Sequence, residues 1–440
     1  MKRFVLKTVI LIYILLSGIT AFSQSKKILT IKDESGVIVQ TESPIALEIK
    51  LHKKLLTAAE ERRLVLIDPE CLDESESLIP VQMGCSPGRK NSQIVMIIPD
   101  SAPGLNKFKM IERSSPSDTI IKASQDPNGW QVIIEENGKK VLQYNYKTVY
   151  EKDVIRHPEE KLEESLRTNK DSFLTTSIYA VPRSDYIHPL YGLEGEMLTR
   201  DWPVGGHPHH RGIFWAWPEV EIGTERGDIY ALQKIFARPT GKIELTSGPV
   251  FAQIIAENLW MWKDAMPIVR EIVVIRVYRA TSSNRIIDLT IKLDALEDSI
   301  TIATRDTDKY GGLNLRMQTP ESQEIYYFTD TTGSEPLRTW SDFNGIFNGN
   351  EFTTGLMVLQ HKDNPEYPGS WIEYPNLAWI QPTFPAKSTR FPLHTDKSLI
   401  LRYRLIVHAT GKPDKLISQK SWDAFNGTLS PLYTFKTTKN

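Results

Sequence analysis

Alternation at period two recurs through most of this chain and restricts it to β-structure. In Arg276-Val277-Tyr278-Arg279, and again across 286–293, polar and apolar residues trade places one by one. That pattern puts one class of side chain on each face of a strand. Further strand-like runs lie at 241–245, 250–257, 271–279, 285–293, 313–317, 325–328, 355–360, 371–380 and 398–408. The run 130–136, then Asn137-Gly138, then 139–147 predicts a hairpin closed by a type I′ turn, because Asn and Gly accept the positive φ such a turn needs. Long strands with few helical stretches predict a mainly β protein whose bulk, residues 119–436, is one large antiparallel β-sandwich. Residues 150–170 interrupt it with charge, and Pro158 there predicts the first turn of a short helix. Ahead of it, 25–115 predicts a small β-sandwich with strands at 27–32, 45–51, 63–67, 94–98 and 107–111 and a helical turn at 57–62. Residues 113–118 read as its exit linker.

The chain has 440 residues, 40% of them hydrophobic, and a formal net charge of -1. Nothing in that balance draws it to nucleic acid or to an anionic membrane. The first 24 residues differ from the rest: Lys2, Arg3 and Lys7 precede an apolar run from 8 to 22, and Ala21-Phe22-Ser23 offers a small-x-small cleavage site. This predicts a signal peptide, residues 1–24, removed before Gln24, and a mature protein in the periplasm or outside the cell. No later run is long enough to span a bilayer. Cys71 and Cys85 are the two cysteines and could pair in an oxidising compartment; neither sits in a CxxC.

Candidate chemistry concentrates in His207-Pro208-His209-His210-Arg211-Gly212, where three of the nine histidines fall within four positions. Histidine exchanges protons near neutral pH. Arginine stays charged and grips carboxylate or sulfate in a fork. The histidines could also take zinc, copper or iron, but no HExxH or local two-His-one-carboxylate pattern accompanies them. They are therefore read as groups of a sugar site needing no cofactor, with a metal at His207, His209 and His210 as the alternative.

Several ordered motifs resemble the PmoA-like domain family over roughly residues 120–410. They are Tyr186-Ile187-His188-Pro189-Leu190-Tyr191, Leu198-Thr199-Arg200-Asp201-Trp202-Pro203, His209-His210-Arg211-Gly212, 306–313, 363–368 and 402–408. Phe214-Trp215-Ala216-Trp217 and 219–225 depart from the family's usual pattern. The resemblance implies a galactose-mutarotase-like supersandwich, a class that includes polysaccharide lyases, and an association with polysaccharide breakdown. The family's inherited label, methane oxygenase, implies a membrane and a metal. The single apolar segment, and an expected mature N-terminus without histidine, speak against that chemistry.

Elimination next to a sugar carboxylate needs a base, a group that stabilises the enolate and an acid for the leaving group. His210 or His188 is the expected base, Arg211 the carboxylate clamp, and Tyr191, Tyr230 or a second histidine the acid. His361, at a strand end, joins the catalytic candidates. Arg200, Trp202, His207, His209, Tyr191 and Asp306 are expected substrate contacts, with Trp202 as the stacking platform. The predicted function is a dehydratase or lyase acting on an acidic oligosaccharide, with no nucleic-acid partner. The alternatives are a mutarotase, epimerase or glycosidase on a neutral sugar, for which Glu373, Asp306 or Asp308 would be the base, and a glycan-binding protein without turnover. His408 and the pair Arg402 and Arg404 are read as structural, an arginine pairing with Asp288 or Glu271. His52, His157 and His394 are read as surface residues.

Overall fold

The computed structural model describes residues 27–33, 41–48, 51, 53–67, 78–84, 93–98, 104–158, 178–203, 207–329, 338–409, 411, 414–426 and 434–437. The leader at 1–24, Cys71, Cys85, His52 and most of the helix expected after Pro158 lie outside these residues. The chain divides into two compact units. Among the described residues both are β-rich, with one α-helix in each.

The first unit holds a five-stranded sheet in the order Thr434–Thr437, Lys27–Asp33, Gly104–Glu112, Leu64–Ile67, Ile79–Pro80. A three-stranded sheet, Ile45–Glu48, Gln93–Met96, Gln82–Gly84, completes it. Leu29, Leu66, Ile94, Met96 and Phe108 fill its core. The expected turn at 57–62 is the end of a helix, Lys53–Glu60, which buries Leu55, Ala58 and Ala59. Residues 434–436 fall within the bounds expected for the large domain, yet the strand there pairs with the first strand, from Lys27↔Thr437 to Thr30↔Thr434. It covers the otherwise open edge of the first strand, a pairing between chain ends that no local pattern announces.

The second unit is the expected large antiparallel assembly. One eight-stranded sheet runs Trp371–Tyr374, Trp379–Pro382, Gly312–Arg316, Ile213–Ala216, Tyr186–Leu190, Lys139–Asn145, Val132–Glu136, Ile121–Gln125. The other runs Ile235–Thr246, Phe251–Trp262, Met266–Tyr278, Asn284–Ala295, Leu399–His408, Thr354–Gln360, Arg338–Ile346, Glu321–Thr329. The Asn137-Gly138 hairpin forms as expected, with φ of 49° and 79°. In Asn284–Ala295, Ile287, Leu289, Ile291 and Leu293 point into the core, and the residues between them point out. Arg404 bridges Asp288 at 2.7 Å, and His408 binds both oxygens of buried Asp342 at 3.1 and 3.0 Å, so both act as expected in the framework.

Register assigns the faces of the first eight-stranded sheet. Tyr144, Ile187, Ile213, Trp215, Leu313, Leu315 and Ile380 are cross-strand neighbours on one face. That face meets the second sheet. The Trp215 indole donates to Glu271 Oε1 at 2.9 Å, and Trp260, from the second sheet, donates to Glu271 Oε2 at 2.8 Å. Beside them Asp185 accepts from the Tyr144 hydroxyl at 2.7 Å and from Asn258 at 3.0 Å. Burial, then the neighbouring Asp185 charge, holds the Glu271 carboxyl well above the usual carboxylate range. The alternate residues, Asn145, Tyr186, Phe214, Asn314, Arg316, Trp379 and Gln381, take the opposite, outward face. Polar residues dominate it, and the candidate site lies there.

Glu271→Ala strands two buried indole donors and opens a cavity. It should lower stability by about 3 kcal/mol, read as a fall in the urea midpoint at unchanged slope.

Candidate functional site

The histidine loop is held in place by the side chains beside it. Asp201 and Arg211 face each other across an isolated bridge. Arg211 Nε donates to Asp201 Oδ1 in a short contact, and its Nη2 donates to the Tyr186 hydroxyl at 2.7 Å. Tyr186 in turn donates to Asp201 Oδ2 at 2.8 Å. The Arg211 side chain is 0% exposed. Its guanidinium lies 4.8 Å from the Tyr186 ring centre and 4.7 Å from that of Trp202. The backbone repeats the tie: Trp202 N–H donates to His210 O at 3.1 Å, His210 N–H to His207 O at 2.9 Å, and Gly212 N–H to Arg200 O at 2.8 Å. Gly212 has φ 58°, and a Cβ there would sit 2.3 Å from Ile187 O. Only glycine lets the loop pass so close to the neighbouring strand.

Adjacent residues of extended backbone point to opposite sides, so burying Arg211 turns His210 the other way. His207, His209 and His210 converge, with one ring nitrogen of each within 4.8 Å of the others. The His207 and His210 rings stack at 4.7 Å, and His209 meets His210 edge-on at 4.6 Å. His207 is exposed, His209 half-buried and His210 buried. Nδ1 of His209 and of His210 are buried and lack hydrogen-bond partners among the described residues. Burial, then its histidine neighbours and nearby arginines, pushes His209 down to about 3. The same causes, burial first, hold His210 well below its ordinary value, and burial with Arg316 lowers His207. All three are neutral imidazoles at physiological pH.

Aromatic rings wall the cluster. Trp379 packs edge-on to His210 at 4.1 Å, and Tyr230 lies 5.7 Å from His209 and 6.3 Å from His210. Tyr310 and Tyr374 extend the wall, 6.2 and 5.5 Å from Trp379. Exposed Tyr179 adds a ring 5.3 Å from His209. Arg316, the cross-strand neighbour of Trp379, brings positive charge to His207 and His210. Arg305 pairs with Asp228 at 2.5 Å. Arg183 donates instead to backbone carbonyls, to Tyr230 O at 3.0 Å and His209 O at 3.4 Å. Burial and the neighbouring Arg211 lower it to about 10, so it remains a cation at neutral pH.

The structure thus brings together His207, His209, His210 and Tyr230, with Arg200 tied to Arg316 by a 3.0 Å backbone bond. It removes other expected residues from the chemistry. Arg211 is no carboxylate clamp, since the buried Asp201 occupies its fork. His188 is no base, because both ring nitrogens are engaged, with Thr199 Oγ1 at 3.0 Å and Ile155 O at 2.7 Å. Trp202 is 3% exposed beneath the Arg211 guanidinium and offers no face to a sugar. His361 follows a strand of the other sheet, where it accepts from Asp363 N–H at 3.1 Å and packs on Phe425. Tyr191 borders a separate recess with His157, Glu196 and Asn348. Asp306 is exposed and paired with Lys309 at 2.7 Å, and Asp308 is exposed as well. His394 is exposed, as expected.

Sequence reading missed Trp379, Tyr310, Tyr374, Arg316 and Arg183. Their one available signal was Tyr310, next to Gly311-Gly312, whose φ angles of 157° and 111° and tight contacts with Thr304 and Phe384 mark a constrained loop.

Variants at Arg211 and His361 test the framework roles of both residues. Arg211→Ala leaves the Asp201 charge buried and should cost about 3–5 kcal/mol, whereas the double variant Arg211→Met with Asp201→Leu should recover most of that loss in thermal unfolding. His361 is lowered from 6.5 to about 4, chiefly by burial. The unfolded chain therefore binds the extra proton first, and stability falls as pH drops from 6.5 towards 4. His361→Gln should remove about 1 to 3 kcal/mol of that acid sensitivity, measured as melting temperature against pH.

No curated protein matches the chain. Residues 131–423, which include the histidine cluster and its aromatic wall, match the pattern described as a family of unknown function, DUF6807. The match covers more than half of the chain, and the protein belongs to that family.

Proposed function

We propose that this protein is an exported carbohydrate-active enzyme that eliminates water or a sugar from a uronic-acid-containing oligosaccharide. One observation carries the reading: three neutral imidazoles stand against an aromatic wall with Arg316 beside them. Aromatic faces pack on the C–H surface of sugar rings. A neutral imidazole can accept a proton, and arginine charge favours an anion over a neutral sugar. The two eight-stranded antiparallel sheets fit a β-supersandwich, and the basic, then apolar, N-terminal segment supports export.

In this reading the histidine cluster takes the proton α to the carboxylate. The electron pair forms a carbon–carbon double bond, and the bond to the β-oxygen breaks. Tyr230, whose hydroxyl has no partner among the described residues, gives the departing oxygen its proton. Arg316 faces the charge that develops on the carboxylate.

Incubation with uronic-acid oligosaccharides should generate the ultraviolet absorbance of a conjugated double bond. Loss of a water mass identifies a dehydratase, and chain cleavage a lyase. Arg316→Ala should lower kcat/KM by about 100-fold, and Trp379→Ala should weaken KM more than kcat. Turnover of neutral sugars alone, or binding with no turnover of acidic glycans, would refute the reading.

A further inference from the structure

The three histidines differ from a generic acid–base group in how they converge. One nitrogen from each imidazole lies within 4.8 Å of the other two. A tetrahedral ion with bonds near 2.1 Å holds its ligand nitrogens about 3.4 Å apart, so closing the set requires exposed His207 to turn out of its parallel stack on His210. Nδ1 of His210, a residue 2% exposed, and Nδ1 of His209 are buried without a described partner, which is costly for a polar atom unless something else meets it. Among the described residues no carboxylate belongs to the cluster. That donor set suits a borderline transition ion and not magnesium or calcium, which require oxygen.

We propose that His207, His209 and His210 bind one divalent transition-metal ion of the zinc class, with a fourth position open on the His207 side. Three protein ligands and an open position are the arrangement of catalytic zinc sites. The framework fits this role. Gly212 and the Asp201–Arg211–Tyr186 cluster fix the loop carrying all three ligands, and Trp379 and Tyr230 limit how far the His210 and His209 rings can turn. The occupant of the open position, a sugar carboxylate or a water, rests on the proposed function; the metal site itself does not.

The test uses the full chain purified without chelator, analysed by elemental mass spectrometry, then dialysed and titrated with zinc(II) and with cobalt(II). Close to one equivalent of metal should bind, with the visible bands of four-coordinate cobalt. His209→Ala and His210→Ala should weaken zinc binding on the order of 100-fold or more, while the surface variant Asp306→Ala should not change it. If the buried variants fail to fold, exposed His207→Ala serves in their place and should show the same loss at an unchanged melting temperature. Zinc binding no tighter in the parent than in folded His207→Ala, or without tetrahedral cobalt bands, would overturn the site. No sugar enters these measurements, so a negative result leaves the elimination reading standing, whereas a positive one commits the three imidazoles to the ion and would assign the proton to another base.

Discussion

The ion pair between Asp201 and Arg211 is the contact on which the candidate site depends. Both groups are removed from water, a costly state that is tolerable only with good geometry and further hydrogen bonds. Tyr186 supplies those bonds to both partners, and two aromatic rings lie against the guanidinium. The pair also closes the loop from Arg200 to Gly212 by joining its two ends. Because Arg211 is committed to the framework, its neighbour His210 is committed to the other side, where Trp379 waits. One buried interaction thereby sets the direction of the most enclosed imidazole of the cluster.

A second buried network acts on a larger scale. Glu271 accepts from one tryptophan of each eight-stranded sheet, so it fixes how the two sheets register against each other. Trp215 is the inward neighbour of outward-facing Phe214, whose ring lies 5.2 Å from Tyr230 and 4.6 Å from the Arg183 guanidinium. A change in sheet register at Glu271 would therefore move the wall of the site. Polar groups in a sandwich core cost stability unless all are satisfied. Here each carboxylate oxygen of Glu271 meets an indole donor, and the placement of the strand Ile213–Ala216 follows.

Much of this was legible in residues and spacing. Alternation in Asn284–Ala295 fixed its inward and outward faces, Asn137-Gly138 marked its hairpin, and the density of histidine pointed to the right loop. The misreadings have separate physical origins. His210 and Arg211 are adjacent in sequence and were expected to work together, yet extended backbone sends neighbours to opposite faces. The motif residues His188 and Trp202 look like chemistry in sequence, but their hydrogen bonds and packing support the loop. Most of the wall was hidden because Tyr230, Tyr310 and the hairpin pair Tyr374 and Trp379 come from three separate stretches of chain, brought to one place by the fold.

The placement of the site explains why its residues look ordinary one at a time. On the inward face of the sheet, a histidine or arginine would have to displace aliphatic packing. On the outward face, the same strands can carry Asn314, Arg316 and Gln381 buried without disturbing the core, because Gln381 donates to Asn314 at 2.6 Å and Asn314 to Gly312 O at 2.7 Å. That polar layer separates a rigid apolar sandwich from a loop whose histidines are held neutral. Arg183 and Arg316 bring positive charge close to His210. In the proposed reading, these neutral nitrogen donors, aromatic walls and nearby arginines receive a sugar carrying a carboxylate.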